Sequence, residues 1–377
     1  MSAAKQRSPY IVGKGYDWAL FLAPPLAAML VGLAISKTSF ALAPLDDEGG
    51  TGSSFLIGVL IHAHLVAVFA RSHGNGEVRR RFPFRFFVVP VVLFAAILSS
   101  PWIAVLAMVV ATFWDVWHSG AQTFGFARIY DSRVASDGRP TAVEARSAGA
   151  EVGCRHERSD RCDRNHGAHG DEGRRLDFWL NQLLYAGPIL AGATLIDHLV
   201  VLEEFEVFDG AVSDFLVLVP AEAEGAASLL TWIVVLLGAA FVAYYLHAQW
   251  RLLLRGRRTS PLKVYLLAST ALCSIVTWGF NPWGEAFFIM NAFHAVQYLA
   301  LVWAMEGKRM AGALGLARRP LGGPITAAVF LGAVVFYGAL TEIVDPSIEI
   351  FWALTMVVSL MHFWYDAFLW SVQKKHV

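Results

Sequence analysis

Apolar stretches about 20 residues long recur along this chain, and that recurrence limits its possible folds more than any other feature. A helix of that length crosses the hydrocarbon core of a bilayer. The stretches lie at about 17–36, 54–72, 84–99, 101–121, 178–200, 226–249, 262–280, 284–305, 323–343 and 350–371. The expected fold is therefore all-α, a polytopic integral membrane helical bundle of about 10 transmembrane helices forming a single membrane domain over 1–377. Composition agrees, with charged residues at 16% of the chain where a soluble domain carries roughly a quarter. The mean hydropathy is +0.51. The opening MSAAKQRSPY has no apolar run leading to a small-residue cleavage site, so no cleaved signal peptide is expected. Three cysteines do not make a disulfide framework.

The connections carry charge of alternating sign. Basic residues mark the N-terminus (Lys5, Arg7, Lys14), the loop after the second stretch (Arg71, Arg79, Arg80, Arg81, Arg85) and the loop after the sixth (Arg251, Arg255, Arg257, Arg258, Lys263). They also mark the loop after the eighth (Lys308, Arg309, Arg318, Arg319) and the C-terminus (Lys374, Lys375). The intervening loops are short or acidic: Asp46, Asp47 and Glu48, then Glu203, Glu204, Glu206 and Asp209, then Asp345 and Glu349. Basic loops stay cytoplasmic. Both termini are therefore expected in the cytoplasm, in a bacterial-type inner membrane, with the lipid bilayer as partner and no nucleic acid. The arginine-rich segment 131–176 reads as a flexible cytoplasmic loop. It contains Cys154, His156, Cys162, His166 and His169 but lacks the close cysteine pairs and apolar framework of a zinc site.

Ionisable groups inside spans cost several kcal/mol unless paired, which makes each a functional candidate. Odd-numbered spans are nearly clean, with Asp17, Asp197, His198 and Glu342 near their ends. Even-numbered spans hold His62 and His64, with His73 just beyond; Asp115, His118 and Gln122; Asn291, His294 and Gln297; and His362 and Asp366. Counted to the next basic residue, His62, His118, His294 and His362 lie 9, 10, 14 and 12 positions away. At 1.5 Å per residue these depths are about 13–21 Å. Four parallel helices thus bring a histidine to a similar level, as one shared site requires. Asp115, His118 and Gln122 share a helix face, as do Asn291, His294 and Tyr298, and His362 and Asp366. His64 points roughly 200° away from His62 on a regular helix, so one of the two is expected to ligate. His73 lies about 16 Å from His62 along the axis, too far for one ion.

A lone buried histidine is usually a hydrogen-bonded core residue, but four at one depth favour a metal. Imidazole with carboxylate and no cysteine suits iron, zinc or manganese. The expected cofactor is non-haem iron, one or two ions, with haem or zinc as alternatives. Asp115 and Asp366 would ligate or orient imidazoles. Gln122, Asn291 and Gln297 would hydrogen-bond an oxygen intermediate or a substrate headgroup. The abundant aromatic residues read mainly as lipid-facing belts, a minority lining a tunnel for a lipid-soluble isoprenoid or acyl chain. A membrane oxidoreductase follows as the leading expectation, its electron donor unspecified. A haem-binding electron-transfer protein and a proton-coupled transporter are the alternatives.

At Phe287-x-x-x-x-x-Phe293-His294-Ala295-Val296-Gln297-Tyr298, and at Met361-His362-Phe363-Trp364-Tyr365-Asp366, the last third of the chain resembles the Brp/Blh family of bacterial membrane carotene oxygenases. The resemblance implies an iron-dependent, dioxygen-using membrane enzyme in which His294 and His362 are iron ligands. Trp117-His118-Ser119-Gly120 would answer to a further histidine of that family. The chain is longer than that pattern, has more spans and lacks its early Pro-His-Gly segment.

Overall fold

A computed structural model describes residues 8–45, 50–136, 156–191, 227–255, 258–279, 285–345 and 347–370. Among them the regular structure is helical, with one isolated bridge between Pro44 and Thr51. The longer helices are α1 (Lys14–Leu22), α2 (Pro24–Ile35), α3 (Gly52–Ser72), α4 (Phe84–Ser99), α5 (Pro101–Ser136) and α6 (His156–Ala191). They continue as α7 (Ala227–Leu254), α8 (Pro261–Gly279), α9 (Glu285–Ala313), α10 (Gly322–Ile343) and α11 (Glu349–Leu369). In a bilayer only structures that satisfy every backbone polar group internally are stable, and helices do so.

Seven of the described helices are long and apolar enough to cross a membrane, and α1 with α2, bent by 46° at their junction, would make an eighth. The protein is an integral membrane protein on this ground. Of the other stretches read as spans, α4 is apolar but short. Helix α6 covers the start of 178–200, while the rest of that stretch, with Asp197 and His198, lies outside the described residues. So do Cys154, the acidic residues at 46–48 and 203–209, and Lys5, Arg7, Arg257, Lys374 and Lys375.

Local sequence accounts for the breaks. Two π-helical turns, Trp18–Leu22 and Phe84–Val88, come just before prolines that open the next α-helical stretch. A proline offers no N–H and crowds the carbonyl four residues back, and a widened turn relieves that crowding. Thr51 caps α3 reciprocally: its hydroxyl accepts from Ser54 N at 3.2 Å while its own N–H donates to Ser54 Oγ at 2.8 Å. Helix α9 ends through Gly315 at φ 68°, where Leu316 N–H returns to the Ala311 carbonyl at 2.8 Å. A left-handed residue here terminates the helix and favours glycine.

Helices α5 and α6 extend well past a hydrocarbon core. At 36 residues each, they are about 54 Å long against a core of about 30 Å. Residues 131–136 and 156–176, read from sequence as loop, are thus helical, and 137–155 lie outside the described residues. A buried ionic network pins this end. Lys263 Nζ lies 3.0 Å from Asp177 Oδ2 and 3.4 Å from Asp131 Oδ1, and Arg128 Nη1 lies 3.2 Å from Asp131 Oδ2. Tyr245 and Gln249 of α7 donate to Asp177 Oδ1 at 2.8 and 3.1 Å. Nothing in the local pattern of Lys263, at the edge of a basic loop, distinguished it from its exposed neighbours.

Helix α9 runs through the centre, against α2, α3, α8 and α10, while α3 and α5 both pack on α11. Its apolar window is 78% buried, whereas that of α7 is 0% buried, so α7 presents its apolar surface outward. Helices α3 and α10 approach closely at Gly338, where an added Cβ would collide with the Val59 carbonyl oxygen. Small residues permit such approaches where packing rather than water drives helix association.

Candidate metal centre

Four histidines from four helices meet in the interior. His64 of α3, His118 of α5, His294 of α9 and His362 of α11 are all buried. Each is carried inward by its helix's apolar face; on α11 that face runs Ala353, Val357, Met361, Tyr365 and Leu369, with His362 beside it. The ring centroids are 4.9 Å apart for His64–His294, 5.0 Å for His64–His362, 5.2 Å for His118–His294 and 4.8 Å for His118–His362. Ligand atoms of His64, His294 and His362 lie within 4.8 Å of one another, and so do those of His118, His362 and Asp366. The two groups share His362 and define one five-residue cluster.

Hydrogen bonding fixes how the donors are presented. His362 Nδ1 lies 3.0 Å from the Leu65 carbonyl, which can only accept. Nδ1 therefore carries the proton and Nε2 presents its lone pair. That Nε2 is 3.1 Å from His118 Nε2. The nitrogens of His64 and Nε2 of His294 are buried and, among the described residues, reach no partner in hydrogen-bond geometry, although the Leu60 and Ile61 carbonyls lie near the His64 ring. Buried polar atoms are rarely left unpaired, and each such case calls for an explanation. Asp366 is oriented on one side. Tyr298 Oη and Trp370 Nε1 both donate to its Oδ1, at 2.8 and 2.7 Å. Its Oδ2 faces the imidazoles, 3.7 Å from His118 Nε2 and 3.8 Å from His362 Nε2.

The other residues singled out from sequence lie around this cluster. His62 points to the α3–α10 seam, with Nδ1 2.9 Å from Glu342 Oε1 and 3.0 Å from the Gly58 carbonyl. Of the His62 and His64 pair, His64 is the one in the cluster. His73 packs on Phe69, its Nε2 3.0 Å from the Phe86 carbonyl. Asp115 stands outside both ligand groups, its Oδ1 3.5 Å from Ser119 Oγ. Gln122 Nε2 donates to the His294 carbonyl and to Gln297 Oε1, each at 3.3 Å, and Gln297 Nε2 donates to the Phe21 carbonyl at 2.7 Å. The two amides thus tie α5, α9 and α1 together. Asn291 is buried one turn before His294. Sequence reading gave no role to Trp370 and no partner to Tyr298. Both stand four residues after a cluster member, Asp366 and His294, which is the signal that could have found them.

A cavity of about 530 Å³ adjoins the cluster, with His118 and Asp366 in its wall and Trp114, Phe363 and Trp370 among the aromatic residues around them. No family model, curated protein or solved structure matches the chain in the comparisons made.

Proposed function

We propose that the protein is a membrane-embedded, metal-dependent oxidoreductase, with a non-haem iron site in the cluster and a lipid-soluble substrate such as an isoprenoid or acyl chain. The observation that carries this reading is the set of orphaned imidazole nitrogens facing a half-tethered carboxylate in an apolar interior. Neutral rings can pair through His118 and His362, but that leaves His64 and His294 unsatisfied at the desolvation cost of buried polar groups. An ion would use all of these lone pairs at once. Four imidazoles and a carboxylate exceed the four donors of a structural zinc site and suit iron or manganese better. The resemblance to the Brp/Blh family points to the same ion and to His294 and His362 as ligands.

Bound iron would supply the redox chemistry through which dioxygen attacks an unactivated hydrocarbon. The chain's own part is to exclude water, hold the imidazoles through Leu65 and the helix faces, and keep Asp366 Oδ2 aimed inward through Tyr298 and Trp370. His118 and Asp366 stand where the cluster meets the cavity and would border the substrate. Ten spans with both termini cytoplasmic, in a bacterial-type inner membrane, complete the proposal, with the charge alternation of the loops as support.

The four ring pairs with centroids 4.8–5.2 Å apart are too close for a porphyrin plane to enter between them, which weighs against haem. Helices α3, α5, α9 and α11 run unbroken through the cluster, whereas transporter sites commonly use interrupted helices. The reading is tested by metal analysis of single variants purified in detergent. His64→Ala, His118→Ala, His294→Ala and His362→Ala should each lose most bound metal, and His62→Ala should keep it. Full occupancy in all four cluster variants would remove the cluster from consideration.

A further inference from the structure

Helix α5 contains a glycine that nothing around it requires. Gly125 lies mid-helix, where glycine costs about 1 kcal/mol relative to alanine, and a Cβ built on it would meet nothing within 4 Å. The space in front of it is the cavity of about 530 Å³ beside the candidate metal centre. Along α5 the cavity wall runs through Trp114, His118, Ala121, Gly125 and Arg128, a spacing of three and four residues that keeps one helix face turned to one furrow. Ala367 of α11 continues the floor of small residues opposite. Ala121, Gly125 and Ala367 together leave the furrow open between larger aromatic walls.

The furrow is polarised. Its arginines, Arg128 of α5 and Arg174 of α6, stand ten residues along α5 from His118 and one helix away, respectively. Each already has a partner within the protein, and the five N–H donors of a guanidinium leave room for a second acceptor. Ten residues of helix put Arg128 about 15 Å from His118. Arg128 is oriented by Asp131 and Asp177, at 3.2 and 4.0 Å, and retains about a quarter of its side-chain exposure (23%). Trp114 and Phe363 lie at the end remote from the arginines, next to His118. An apolar slot with guanidinium groups at one end matches one molecular shape, a single chain with an anionic head. The volume suits one chain rather than a two-tailed lipid.

Building on the oxidoreductase reading, we propose that this furrow binds a long-chain carboxylate, with its head at Arg128 and Arg174 and its chain running past Gly125 so that a mid-chain carbon lies beside His118 and Asp366. The head would be held about 15 Å from the reactive end. Chemistry would then fall within the chain rather than next to the carboxylate.

The test is a binding measurement that needs no turnover. The probe is parinaric acid, a conjugated polyene fatty acid whose absorption overlaps tryptophan emission, titrated into the detergent-purified full chain; Trp114, Trp117 and Trp370 are cavity donors. Parinaryl alcohol, with the same chain and no charge, is the control. The acid should bind about tenfold more tightly than the alcohol, as expected for a charge-assisted pair. Arg174→Gln should abolish that preference while leaving alcohol binding unchanged, and Arg128→Gln is the second head variant. Gly125→Leu should block both probes, and since leucine is the better helix former and faces open space, the variant should remain folded. Equal binding of acid and alcohol to the wild type would overturn the carboxylate assignment, and undiminished binding to Gly125→Leu would overturn the furrow. Metal content measured on the same samples separates these failures from a failure of the metal reading. A preparation that holds iron yet shows no acid preference sinks only the present inference.

Discussion

At the scale of single residues the cluster depends on which nitrogen carries a proton and which oxygen is already occupied. Asp366 has one oxygen taken by Tyr298 and Trp370 and one aimed at His118 and His362. Asp366→Asn should weaken metal binding about 10–100-fold, the range typical when a metal-orienting group is lost. Tyr298→Phe should weaken it less, because Trp370 remains as a donor to the same oxygen. Chelator-competition titrations of both variants check the ranking, and equal losses would show that Tyr298 does more than hold the carboxylate. The spacing of the polar residues made much of this cluster legible. His362 and Asp366 stand one turn apart, and His118, His294 and His362 share a depth. The choice between His62 and His64 was not legible, because both lie at that depth on nearly opposite faces of α3. Only the packing of α10 decided it, by supplying Glu342 on the His62 side.

At the scale of elements, close approach and buried charge set the packing. Gly338→Ala would drive a methyl group into the Val59 carbonyl and should destabilise the α3–α10 seam by about 1–3 kcal/mol, as overpacking does. A lowered thermal midpoint in detergent is the expected readout, and an unchanged midpoint would mean that the helices separate freely there. Lys263→Met should be more damaging. It removes the ammonium group beside Asp131 and Asp177, both buried, and leaves Arg128 beside them at 3.2 and 4.0 Å. Breaking a buried pair on one side costs about 3–5 kcal/mol, so the variant should unfold at clearly lower temperature than Lys263→Arg. Equal midpoints for the two would exclude the network as a support of this end. Most spans were readable from apolar length alone. The helical extensions of α5 and α6 were not, because their residues are polar and carry no apolar stripe, and the anchors at their base, Asp131 and Asp177, find Lys263, Tyr245 and Gln249 far away in sequence.

At the scale of the whole molecule, α3, α5, α9 and α11 bring the histidine cluster together in the interior and α7 turns its apolar surface outward. In the proposed topology, which the alternation of loop charge supports, the ends of α3, α5, α9 and α11 nearest the basic loops would face the cytoplasm. Reporter fusions after Arg258 and after Val377 should both read cytoplasmic, and a fusion at Asp345 should read on the opposite side. A cytoplasmic signal at Asp345 would invalidate the span order. The same proposed orientation would put Arg128 and Arg174 toward the cytoplasmic face, and a carboxylate ligand would then enter with its head on that side.

The decisive measurement is metal analysis with X-ray absorption at the iron edge on detergent-purified, wild-type protein. One or two irons per chain, in a shell of nitrogen and oxygen donors with the scattering signature of several imidazoles and no haem absorption, is the expected result. A preparation that stays free of stoichiometric metal after gentle purification and reconstitution with ferrous iron would contradict it. The four imidazoles would then have to be explained as a buried polar network without an ion.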